Sequence, residues 1–63
     1  MDEKELQERI ADIKGALTID DLKAEFASAF AAARSLGDSH AMACLNDAKD
    51  ERKAALEREA QPA

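Results

Sequence analysis

The chain has 63 residues, with 14 Asp and Glu against 9 Lys and Arg and a formal net charge of −5. That length lies near the lower limit for a domain folding alone, and the acidic balance disfavours direct duplex binding, which needs a basic face to displace counterions. No apolar run approaches the ~20 residues of a membrane span, and a single cysteine excludes an internal disulfide.

At this size the return from apolar burial and the entropy of ordering the chain nearly cancel. Stability has to come from helix propensity or from a partner polypeptide. One His and one Cys, His40 and Cys44, cannot close a zinc site. The N-terminal MDEKELQER is acidic and lacks the apolar core of a signal peptide, so the expected location is the cytoplasm, where Cys44 stays reduced. Ile10, Ile13, Thr18 and Ile19 are the only β-branched residues, whereas Ala, Leu, Glu, Lys and Arg abound. Strands want the former and helices the latter, which leaves an all-α fold.

The first helix is expected over about 2–14. Leu6, Ile10, Ile13 and Leu17 follow the 4-3-4 spacing of one helical face. Asp2, Glu3 and Glu5 suit the positive end of the helix dipole, Lys14 suits the negative end, and Gly15 is a natural stop. About three turns are marginal in isolation, so this helix needs a surface to lie on.

The second helix, over about 19–36, organises the chain. Thr18 with Asp21 three residues on resembles a capping box, and Leu17 with Leu22 could form a hydrophobic staple. Its apolar stripe is Leu22, Phe26, Ala29 or Phe30, Ala33 and Leu36. The many alanines allow neighbouring helices to approach closely, and Gly37 marks a left-handed stop. A third helix follows from a cap at Asp38 or Ser39 to about Glu59, with Ala41, Met42, Leu45, Ala48, Arg52, Ala55 and Leu56 inward. Arg52 falls in that stripe, where it can snorkel along the seam or pair with an acid across it. Residues 60–63, including Gln61, Pro62 and Ala63, should form a frayed tail.

The tight turns near Gly15 and Gly37 make successive helices antiparallel. The expected architecture is one helical domain over 1–63. It is a small three-helix bundle running up, down and up, or an antiparallel hairpin with the short N-terminal helix packed on it.

No constellation points to catalysis, a cofactor or a metal. Cys44 lies four residues after His40 on one helical face and could form a thiolate couple, but neither a third group nor a cleft is evident. The acidic clusters Asp20, Asp21, Glu25 and Asp47, Asp50, Glu51 run along helices, where a solvated, dipole-favoured surface explains them better than a metal loop. The remaining feature is apolar. Phe26 and Phe30 share a helical side, and with Leu36, Met42 and Leu45 they offer more surface than two short neighbours would cover. Such a patch is either ordinary core or, in part, an interface with another protein or another copy.

The segment from Thr18 onward, TIDDLKAEFASAFAAARSLGDSHAMACLNDAKDERKAAL, resembles the C-terminal helical region of phage single-strand annealing recombinases of the RecT and Beta type. The matching positions are Thr18, Leu22, Phe26, Gly37, Asp38, Lys49, Asp50, Arg52 and Lys53. The resemblance implies a protein-binding module that recruits a nuclease or a single-strand-binding protein, distinct from the annealing domain. A basic pocket for an acidic tail would then come from Arg34, Lys49, Arg52 and Lys53.

The chain is thus expected to be a non-enzymatic helical interaction module of phage or prophage origin that self-associates or binds another protein. The alternative is a small dimeric regulator or nucleic-acid-associated accessory protein, which would need dimerisation to assemble a basic face.

Overall fold

Asp2 opens the first helix, α1 (Glu3–Lys14), by accepting the amide hydrogen of Glu5 on its side chain at 2.7 Å. Thr18 does the same for α2 (Ile19–Ser35), where its hydroxyl accepts from the Asp21 amide at 3.1 Å. Such side-chain acceptors satisfy amides that a helix start leaves unpaired. The third helix, α3 (Ser39–Ala60), is capped by Asp38, whose Oδ1 accepts from the Ala41 amide at 3.0 Å. The structure, a computed structural model, describes residues Met1 to Ala60, and the tail expected at Gln61, Pro62 and Ala63 lies outside them.

The turn between α2 and α3 is closed from both sides. Gly37 adopts φ 66, the left-handed conformation that side chains resist. Its amide bonds the Arg34 carbonyl at 3.0 Å, while the Asp38 amide reaches back to Ala33 at 3.0 Å. This pair is a Schellman ending, with glycine at the position that requires it.

Contacts between distant residues fix the topology. The Met1 ammonium meets Asp38 Oδ2 at 3.0 Å, Lys14 meets Glu51 at 3.5 Å, and Arg52 Nε donates to the Ala16 carbonyl at 2.7 Å. The two ends of α1 therefore lie beside matching points of α3, and the two helices run parallel. Arg9 reaches Ser28 at 3.4 Å, so α1 also lies beside α2, and because the tight turn at Gly37 reverses the chain between α2 and α3, α1 runs antiparallel to α2. The protein is an all-α three-helix bundle, up, down and up, forming a rod of 42 × 16 × 16 Å.

The core consists of Leu6, Ile13, Ala16, Leu22, Ala29, Ala33, Ala41, Leu45, Ala48 and Leu56. Half of these are alanines, so the helices sit close and the buried apolar volume is small. The expectations for Leu17, Leu36 and Arg52 need correction, and the choice between Ala29 and Phe30 is decided. Leu17 is 78% exposed, and Ala16 takes the buried place. The reason is local: α1 stops at Lys14, the Ala16 amide folds back to the Ile13 carbonyl at 3.2 Å, and the helical spacing no longer applies beyond it. With Leu17 turned outward, the Leu17–Leu22 staple is not made. On α2, Ala29 and not Phe30 is buried, and Leu36, the residue before the turn, is 63% exposed. Arg52 neither snorkels freely nor pairs with an acid; its guanidinium ties α3 to the α1–α2 connection.

Asp38 joins three parts of the chain, which gives it a pH signature. The Ala41 amide and then the Met1 ammonium hold its carboxyl below the ordinary 3.8. A carboxylate with a depressed folded pKa adds stability above its unfolded value and loses that contribution as pH falls through the folded value. Asp38→Asn keeps a capping oxygen but removes the charge. Thermal melts between about pH 5 and pH 3 should show the parent losing stability faster than Asp38→Asn. Parallel curves would show that the ion pair contributes nothing.

Candidate interaction surface

Between them, α2 and α3 decide which apolar groups stay outside. Because Ala29 and Ala33 fill the seam, Phe26 and Phe30, at flanking positions, are displaced to its edge. Both rings are half-buried, with centroids 5.1 Å apart and planes tilted by 36°. That offset geometry is favourable for aromatic pairs. Phe26 still packs against the core, and Lys49 Nζ lies 4.8 Å above its ring.

Two depressions follow from this arrangement. A shallow open shelf runs along the outer side of α2, floored by Phe26, Ala27, Phe30 and Ala31 and ended by Arg34 and Ser35. A narrower groove lies between α2 and α3, floored by Ile19, Leu22 and Phe26 and rimmed by Lys23, Lys49 and Lys53. Phe26 lines both, so the shelf and the groove adjoin at its ring.

The residues expected to meet a partner are distributed unevenly. Phe26, Phe30 and Arg34 line the shelf, and Lys49 and Lys53 rim the groove. Leu36 is exposed at the turn end of α2. Met42 is half-buried and packs on the core. Leu45, expected to extend the outer patch, is fully buried and belongs to the core, because its helical position faces the α1–α2 seam. Arg52 is engaged with the Ala16 carbonyl, away from either depression. The expected basic pocket of Arg34, Lys49, Arg52 and Lys53 is therefore divided, with Arg34 on the shelf, Arg52 in the clamp and the two lysines at the groove.

The groove also contains Lys23 and Ile19, which sequence reasoning passed over. Their signal was present: Ile19 and Lys23 precede Phe26 by seven and three residues, on the flank of the same stripe. His40 and Cys44 lie apart from both depressions, with Nε2 and Sγ 3.7 Å apart near the start of α3. Among the described residues, no three His, Cys, Asp or Glu side chains come together as a metal site, and no helix is long and apolar enough to cross a membrane. No protein-family model, no curated protein and no solved structure matches the chain.

Proposed function

We propose that this chain is a non-enzymatic helical module that works by holding another protein or a second copy of itself. The observation that carries the reading is the apolar surface of α2 left over after the bundle is packed: Phe30 and Leu36 stand outside the core while alanines fill it. Aromatic rings held in place by a helix present contact area at small entropic cost, which suits them to anchor an interface. The resemblance at Thr18, Leu22, Phe26, Gly37, Asp38, Lys49, Asp50, Arg52 and Lys53 supplies the setting: recruitment of recombination proteins of phage or prophage origin, in a reducing cytoplasm that keeps Cys44 free.

The test combines light scattering on a sizing column with titration of a single-strand-binding protein and a phage-type exonuclease. The chain should form an oligomer or a complex with one of them. Phe30→Asp should abolish that association while circular dichroism shows unchanged helicity. A wild-type chain that stays monomeric and binds neither protein would overturn the reading. Loss of helicity in Phe30→Asp would instead assign that ring to the core.

A further inference from the structure

On the side of α2 away from Leu22, Ala29 and Ala33, one line of exposed residues runs the length of the helix. It consists of Asp20, Ala24, Ala27, Ala31 and Arg34, at the 4-3-4-3 spacing of a single helical stripe. Phe30 flanks it on the shelf side, half-buried and open to solvent at its edge. The two charges stand at the ends of the line and make no ion pair among the described residues. Each lies seven residues from Ala27, about 10 Å along the axis at ~1.5 Å per residue. Turned end for end, the line keeps its pattern while acid and base change places. A surface of that kind is complementary to itself across a two-fold axis.

We propose that this face of α2 binds a second copy of the chain, antiparallel, about a two-fold axis through Ala27. Each Asp20 then meets the partner's Arg34, so the charge pair is made twice per dimer. The alanines between them let the two helix axes come to about 8 Å, the close end of helix packing. Phe30 closes over the partner's Ala24 and gains the cover that its own bundle does not give. This rests on the interaction-module reading above and commits it to one occupant, one orientation and one register. Charge decides the orientation, since a parallel pair would set Asp20 against Asp20 and Arg34 against Arg34. The net charge of −5 on each chain weighs less, because at physiological salt charges beyond about 8 Å are largely screened. Seventeen residues of α2 span about 25 Å, so a contact along this helix stays below the ~1,200 Å² of stable interfaces. The dimer is of the weak, reversible class.

The experiment is sedimentation equilibrium of the full chain from about 10 μM to about 1 mM, under a reductant that prevents Cys44 bridges. The parent chain should pass from monomer to dimer across that range. Arg34→Glu alone and Asp20→Lys alone should each weaken dimerisation about tenfold or more, since each sets like charges together twice. Mixed in equal amounts, the two variants should recover a dimer near parental strength. In the mixed pair, Asp20 faces Arg34 at one end and the introduced lysine faces the introduced glutamate at the other. Circular dichroism checks the helicity of each variant. Should a reversal unfold α2, the neutral Asp20→Asn and Arg34→Gln read the same contact through a smaller loss. A chain that stays monomeric at about 1 mM, or a mixture that regains nothing, would overturn the proposal. A monomer that still binds the single-strand-binding protein or the exonuclease refutes the dimer and leaves the module reading in place. A dimer that Phe30→Asp dissolves but both charge reversals spare refutes this register alone.

Discussion

Replacing Leu45 by alanine should destabilise the bundle by about 2–5 kcal/mol, measured by urea unfolding followed with circular dichroism. Leu45 is fully buried, so truncation removes apolar contacts and leaves a cavity that the surrounding helices fill incompletely. The neighbours cannot compensate easily, because half of the core residues are already alanines with no side chain to swing inward. Total stability at roughly 0.05–0.15 kcal/mol per residue comes to about 3–9 kcal/mol for this length. One methyl-bearing side chain therefore decides whether much of the population is folded. Leu36→Ala makes the same chemical change on the exposed shoulder of α2, and should stay within about 0.5 kcal/mol. The contrast separates core from surface without reference to any partner. Equal effects at the two positions would contradict the face assignment, and a loss of association without loss of stability in Leu45→Ala would return Leu45 to an interface.

The same contrast shows why some of this fold is legible in the residues and some is not. Thr18, Gly37 and Asp38 mark helix ends through local chemistry, within three or four residues of the groups they satisfy, and local chemistry can be read along a chain. The assignment of faces is less local. On α2 the choice between Ala29 and Phe30 depends on how closely α3 approaches, and that depends on Ala41 and Ala48 being small as well. Spacing cannot choose between two apolar neighbours. The turn after α1 moves Leu17 out and Ala16 in, because helical periodicity ends with α1 at Lys14. The groove is half legible along the chain: Lys49 and Lys53 fall among the basic residues of α3, whereas Lys23 and Ile19 become part of it only once α2 and α3 are side by side.

Arg52 is the residue whose role depends most on that long-range arrangement, and its replacement is the second large effect expected. Its Nε donates to the Ala16 carbonyl at 2.7 Å, across 36 residues of sequence. Ala16 is buried, so water has little access to its carbonyl once the donor is gone. Arg52→Met keeps an apolar stem along the seam but deletes the hydrogen bond, and should cost about 1–3 kcal/mol in urea unfolding. Arg52→Lys retains a charged donor on a differently shaped side chain and should recover part of that loss. The clamp also fixes how the α1–α2 connection sits, and Ile19, at the start of α2, begins three residues beyond Ala16. Loosening it should therefore disturb the end of the groove where Ile19 lies before it disturbs the shelf at Phe30. Amide resonances of Ala16 to Lys23 should shift more in Arg52→Met than those of Phe30 to Ser35. If Arg52 instead served a partner directly, both substitutions would leave stability and these resonances unchanged and would weaken only binding. The two outcomes are distinguishable in the isolated chain.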